Sequence, residues 1–371
     1  MQTAGSWLAC FALATTLVAT QARANDSASE LAVGGLVLVK TDRVTMQRED
    51  LTITPSEIQV RYEMRNPSPD PVTLRVAFPL PVLPKDTPGG METGSGSNIN
   101  LRPPTDPNFI DFHLSANGKP VAFETEIRAT LPNGTDITQA LRDIGGPTLP
   151  LQPRMFPRDT TSGAANDGWD LDAKTRTALQ KIGAITLDDD AYDTLWSTTI
   201  TFHWMQTFPP GVTIIEHRYH PILGIRLYGA ISRTKQGKGD PQTGVWEASG
   251  GGNIVQAFCV DPGTDRAMRT FYANLLRRRE AADPAANDAY FVAYTLGYIL
   301  KTANNWQGPI GTFHLTLQGG HIAEPNATPA EARMFSLCTD LPLRQTAPMR
   351  FEATARDYVP KQDIRLLILA E

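Results

Sequence analysis

Six histidines and two groups of acids hold whatever acid–base or metal chemistry this chain could perform. Such chemistry needs the groups to converge from fixed elements, so their spacing comes first. His113, His203 and His314 each follow a phenylalanine in an alternating segment and take its polar register. That pattern fits solvated strand histidines or cross-strand partners. His217 and His220 stand three apart. On a helix they would share a face, but on a strand they point to opposite sides. The run 217–220 therefore does not chelate one ion from a regular strand, and a metal site there would need His203 from a facing strand. His321 follows Gly319-Gly320 and reads as an exposed turn residue.

The acids point no more sharply. Asp188, Asp189, Asp190 and Asp193 could offer oxygens to calcium, but the Gly and Glu of an EF-hand loop are missing at the required spacing. They suit the start of a short helix over 191–195, where the dipole favours negative charge. Glu124 and Glu126 lie two apart on one strand face, and glycosidase chemistry would need a carboxylate partner at a fixed distance. Gly250-Gly251-Gly252 precedes a strand and is not a phosphate loop. Arg277-Arg278-Arg279 reads as a solvated helix end. The chain has no Gly-x-Ser-x-Gly elbow and no His-Glu-x-x-His. No catalytic residue, cofactor-binding residue or metal ligand is therefore expected.

Three cysteines remain to be placed. Trp7 to Val18 is an apolar run, followed by Ala22-Arg23-Ala24 and polar Asn25-Asp26-Ser27. This is the layout of a secretory signal peptide over 1–24, although Met1 to Ser6 lacks the usual Lys or Arg. The run is shorter than the about 20 residues that span a bilayer. Cys10 leaves with that segment, and its surroundings do not suit a lipoprotein cysteine. Cys259 and Cys338 are then an even pair in an exported chain, which predicts a disulfide. Closing a loop of about 80 residues is worth about 4–5 kcal/mol on the chain-entropy model. A reactive thiol at Cys259 would need a cationic neighbour, and Asp261 offers the opposite charge.

The elements that must position these residues are mostly strands. Ile58 to Arg65 and Val72 to Phe78 alternate apolar and polar residues around the proline-rich link 66–71, which predicts a hairpin. Segments 109–115 and 121–129 flank Asn117-Gly118-Lys119 and predict a second. Segments 197–208 and 212–221 flank Pro209-Pro210-Gly211 and predict a third. Further strands are expected at 254–259, 290–300, 310–317, 333–338, 349–355 and 364–369, with antiparallel pairing throughout. Helices are expected at 136–144, 172–182 and 261–279, bounded by Gly145, Gly183, Asp172 and Asp261-Pro262. Gly- and Pro-rich stretches at 84–107 and 145–170 read as linkers. The fold class is mainly β: antiparallel sandwich-like modules with a few short helices. An N-terminal β module covers 25–146, a linker with a short helix 147–189, and a C-terminal β module with the disulfide 190–371.

Several motifs carry a resemblance. They are the start Asn25 to Leu38, Arg65-Asn66-Pro67, Ala77-Phe78-Pro79-Leu80-Pro81, Trp204 to Pro209, and Asn305 to Gly311. Together they resemble a bacterial exported family known as domain of unknown function 4424, over nearly the whole mature chain. The resemblance implies an exported, β-rich protein and no catalytic residues to carry over. The N-terminal half is also similar to the vault/inter-alpha-trypsin type of sandwich, by analogy only.

Charge narrows the partners. The chain has 34 basic and 39 acidic residues, a net charge of −5. Losing Arg23 with the signal leaves −6, which argues against nucleic acid and anionic membrane as partners. No later stretch is apolar for long enough to span a membrane. The expected role is a non-catalytic binding or scaffold protein of the periplasm, or a secreted one, whose partner is another exported or envelope protein. The aromatic segments 196–208 and 290–306 could supply contact area, although core packing is the simpler reading. A secreted hydrolase built from His203, His217 and Asp188 to Asp190 is the second reading. A metal or small-ligand carrier is the third.

Overall fold

The computed structural model describes residues 27–32, 35–82, 108–145, 173–188, 191–231, 245–248, 254–283, 291–322 and 330–370. The expected signal segment 1–24, the stretch 84–107 read as a linker, residues 147–172 of the expected linker 147–189, Asp189, Asp190 and Gly250 to Gly252 lie outside them. The chain is mainly strands, and the described ones form three large sheets and one two-stranded hairpin.

The largest sheet has eight strands. In spatial order these are β19 (Arg344–Ala347), β20 (Arg350–Tyr358), β16 (Ile310–Gln318), β3 (Thr45–Ile53), β4 (Ile58–Asn66), β12 (Gly211–Tyr219), β6 (His113–Ala116) and β7 (Lys119–Pro120). A five-stranded sheet runs β2 (Gly35–Val39), β1 (Ser27–Ala32), β5 (Val72–Pro79), β11 (Ser197–Phe208), β8 (Glu124–Thr130). A six-stranded sheet runs β14 (Val245–Ala248), β13 (Gly224–Ile231), β15 (Phe291–Tyr298), β21 (Ile364–Ala370), β18 (Ala330–Cys338), β17 (His321–Ile322). Strands from both ends of the chain share these sheets: β11 lies between β5 and β8, β12 beside β4, and β3 beside β16.

The inner face of the eight-stranded sheet is covered by both smaller sheets, and all three contribute to one continuous core. Against the five-stranded sheet, Phe112 stacks on Phe202 at 4.5 Å and Phe78 meets Tyr219 edge-on at 5.4 Å. Against the six-stranded sheet, the hydroxyls of Tyr62 and Tyr298 approach to 3.4 Å. Aromatic side chains bury large apolar areas, so these contacts carry much of the packing energy.

The three expected hairpins are not hairpins between long strands. In each, the chain crosses from one sheet to another: β4 to β5, β6–β7 to β8, and β11 to β12. Packed sheets lie about 10 Å apart, and a proline-rich link without ladder donors makes that crossing. Asn66 anchors two of the crossings, because its buried amide donates to Asp70 O at 2.8 Å and Phe208 O at 2.9 Å. Asn117 and Gly118 do form a tight turn in the left-handed region, with φ of 49° and 73°. That turn joins β6 only to the two-residue β7 before the chain leaves the sheet.

Three further expectations are corrected. The pair β3–β16 is parallel, since strands so distant in sequence are free of the short connections that impose antiparallel pairing. Residues 191–194 form strand β10, paired with β9 (Ile185–Asp188), not a helix. Residues 254–257 form a short helix, α3 (Ile254–Ala257), not a strand. Cys259 then turns at φ 53°, a left-handed conformation that a strand does not contain.

The other helices follow their sequence signals. α1 (Thr138–Asp143) and α2 (Ala173–Lys181) end at Gly145 and Gly183, both at positive φ. α4 (Pro262–Ala282) begins at Asp261, whose carboxylate accepts from Gly263 N at 2.7 Å and Thr264 N at 3.1 Å. Its bonds with Thr264, ahead of all else, hold that carboxyl below the usual range. Met268, Tyr272 and Leu276 repeat at helical spacing and pack on Ala293, Leu367 and Leu369 of the six-stranded sheet. A disulfide joins Cys259, just before α4, to Cys338 at the end of β18, with a Cα–Cα distance of 5.2 Å.

Candidate functional site

Alternation along β4 sends Ile58, Val60, Tyr62 and Met64 inward and Gln59, Arg61 and Glu63 outward. Pairing then aligns the outward residues of neighbouring strands. One register row runs His314 (β16), Asp50 (β3), Arg61 (β4), Glu216 (β12) and Ser115 (β6). Its side chains link in series: His314 Nδ1 to Asp50 Oδ1 at 3.7 Å, Asp50 Oδ2 to Arg61 Nη1 at 3.8 Å, Arg61 Nε to Glu216 Oε1 at 3.8 Å, and Ser115 Oγ donating to Glu216 Oε2 at 3.5 Å. Arg48 adds a 2.7 Å bond to Asp50, and Glu63 a 2.8 Å bond to Arg61. The next row carries Gln59, Arg218 and His113. Between the rows lies a groove of about 570 Å³, lined by residues that include Asp50, Arg61, Glu216, Arg218 and His113. Pairs this exposed add little stability, about 0–1 kcal/mol each, so the arrangement matters as a charged surface rather than as a staple.

His113, part of the groove's lining, also belongs to a second group. Asp111, at φ 55°, faces His113 Nε2 at 3.1 Å and His220 Nε2 at 3.9 Å. His220 Nδ1 donates to Ser56 O at 2.8 Å, since a carbonyl can only accept. Among the described residues, no three His, Cys, Asp or Glu side chains group as metal ligands do.

The histidines of the hydrolase and metal readings are kept apart. Phe202 points inward to Phe112, so His203, the next residue, projects from the opposite face of the five-stranded sheet. There Arg75 donates to His203 Nδ1 at 3.2 Å, and Glu124 lies 4.0 Å from Nε2. Burial pushes the imidazole below its ordinary pKa, and the nearby glutamates only partly offset this. Glu126, two residues along, accepts from Leu36 N of the N-terminal hairpin at 3.0 Å. His217 instead points into the core, with its ring 4.6 Å from Phe78, 5.3 Å from Phe112 and 5.4 Å from Tyr62. The five-stranded sheet itself therefore separates His203 from His217. Asp188 ends β9.

A buried acid escaped the sequence reading. A β-bulge between Met46 and Arg48 shifts the register of β3 and turns Glu49 inward, fully buried. Tyr298 donates to Glu49 Oε1 at 3.4 Å, and Tyr298 and Tyr62 share a further hydroxyl contact. The only sequence signal was the break in alternation across Gln47-Arg48-Glu49-Asp50. The charged rows were half legible: alternation in 58–65 announced Arg61 as outward, but β3 with Asp50 was not among the expected strands, and cross-strand register lies in pairings no single segment encodes.

The motifs behind the resemblance build crossings and core. Asn66 bonds Phe208 O, Leu80 N donates to Ile200 O at 2.8 Å, and Phe208 packs edge-on to Trp306 at 6.1 Å. Asn305 O and Gln307 N hold Thr41 and Val44 at the entry to β3. The aromatic segments are likewise spent on packing, since Trp196, Phe202, Trp204, Phe208, Tyr294, Tyr298 and Trp306 are all buried.

No described helix is long and apolar enough to cross a membrane. No curated protein matches the chain. The crystal structure of a candidate nutrient binding protein from Legionella pneumophila is similar over 92% of this chain and 72% of that one, at 14% identity and a TM-score of 0.36. That level of likeness carries no argument about function. A family model described as a domain of unknown function matches residues 24–367, nearly the whole chain. The chain belongs to this family, DUF4424.

Proposed function

We propose that the chain is an exported, non-catalytic binding or scaffold protein that docks another envelope protein on the outer face of its eight-stranded sheet. The observation that carries this reading is the row of alternating charge Asp50, Arg61 and Glu216, with His314 beside Asp50 and the groove alongside. The buried aromatic side chains named above are committed to the core, and the outer face of the eight-stranded sheet along the row is polar and charged. A partner with complementary alternating charge fits it, and such contacts set orientation and association rate more than raw affinity. Export is supported by the signal-like segment 1–24 and by a disulfide, which persists in oxidising compartments such as the periplasm.

The test is in-cell crosslinking of the tagged chain, followed by mass spectrometry of what is captured. The expected result is a stoichiometric partner, depleted by the double variant Arg61→Glu, Arg218→Glu and weakened at high salt. Equal capture by the folded double variant, or a chain recovered alone, overturns the reading.

A further inference from the structure

The disulfide has two unlike ends. Cys338 is fully buried at the end of β18. Cys259 belongs to an exposed turn between α3 and α4, in a left-handed conformation. Directly opposite Cys338 in the sheet register stands Arg365 of β21. Its guanidinium lies 3.7 Å from Cys338 Sγ and makes no ion pair among the described residues. A cation beside a sulfur favours its thiolate form. Thiol–disulfide exchange is faster when the leaving sulfur is the better thiolate, and the attacked sulfur must be reachable. The reachable side and the stabilised leaving group therefore fall on different sulfurs, as a directed exchange requires.

We propose that Cys259–Cys338 is a thiol-exchange site for low-molecular-weight thiols, attacked at Cys259 with Cys338 leaving toward Arg365. The attacking thiol first loses its proton to solvent. Its thiolate sulfur then bonds to Cys259 Sγ, the Cys259–Cys338 bond breaks, and the electron pair leaves on Cys338 Sγ beside the guanidinium. The product is a mixed disulfide on Cys259 and a buried thiolate on Cys338. A second thiolate attacks the small molecule's sulfur, the mixed disulfide breaks, and the electron pair leaves on Cys259 Sγ. The net change reduces the protein disulfide by two electrons and oxidises two small thiols to their disulfide. The turn is then held to β18 by Ser336 Oγ donating to Phe258 O at 2.9 Å, while the packed face of α4 keeps the helix on its sheet. Exchange at this site therefore opens the disulfide without unfolding the chain.

The experiment exposes the full-length folded protein to graded glutathione, quenches with an alkylating reagent, and maps both cysteines by mass spectrometry. The expected product is a glutathione adduct on Cys259 with Cys338 alkylated. Arg365→Gln slows the opening by roughly three- to tenfold, and Arg365→Lys restores most of the rate. An adduct on Cys338, adducts shared equally, or opening only at the rate of global unfolding overturns the proposal. So does an unchanged rate in a folded Arg365→Gln variant. Adduct position is read on the wild-type chain, so the result stands even if that variant fails to fold.

Discussion

Glu49 and Asp50 are adjacent on β3 and live in opposite environments. Glu49 faces the core among tyrosines, while Asp50 lies part-exposed on the outer face between Arg48, Arg61 and His314. The same chemical group is thus a buried part of the packing on one face of the sheet and part of an ionic surface on the other. Solvation makes the difference: a carboxyl taken from water must be compensated by its neighbours, whereas one left half in water gains and loses little. The inner face settles whether the sheets pack, and on the proposed reading the outer face settles what the sheet meets.

Four changes test that contrast. The largest effect is expected from Phe202→Ala, which removes the ring stacked on Phe112 and should cost about 3–5 kcal/mol in urea unfolding. Glu49→Ala comes next, at about 2–3 kcal/mol, because it leaves a cavity and removes the acceptor of Tyr298. If Glu49→Ala proves as mild as a surface change, Glu49 is not held in the core by Tyr298 as described above.

His203 gives an intermediate case, buried but on an outer face. Its folded-state pKa is lowered, chiefly by burial, so the native chain resists protonation there. The stability it contributes is present above its unfolded value near 6.5 and is lost as pH falls through the lower folded value. Unfolding midpoints of His203→Gln should therefore fall less steeply than wild type below pH 6.5; parallel curves would refute the assignment. The smallest effect belongs to Asp50→Asn, below about 1 kcal/mol and shrinking with added salt. A loss matching that of Glu49→Ala would erase the distinction between the two faces.

The sequence carried the faces of strands better than their neighbours. In 58–65, two-residue alternation alone separated Tyr62 from Arg61. The cap at Asp261, the apolar spacing of α4 and the glycines after α1 and α2 were also legible, because those signals are local. Links 66–71 and 209–211 announced a change of direction but not that the strand beyond would join another sheet. The bulge at β3 moved Glu49 inward through a single extra residue, which no periodicity predicts. In the candidate site, Asp50, Arg61 and Glu216 come from distant segments, and only the register of the assembled sheet makes them a row.

The parallel pairing of β3 with β16 has a consequence in time. β3 finds β4 as soon as the next few residues emerge, but its other edge waits for residues 312–317. Until that late strand arrives, an early edge stays open, and open edges recruit other chains. Contacts so far apart in sequence also form slowly, after the cost of closing a long loop. The fold is therefore one that cannot be finished piecemeal as the chain emerges. Its first strands must be kept apart from other copies until nearly the last has been delivered.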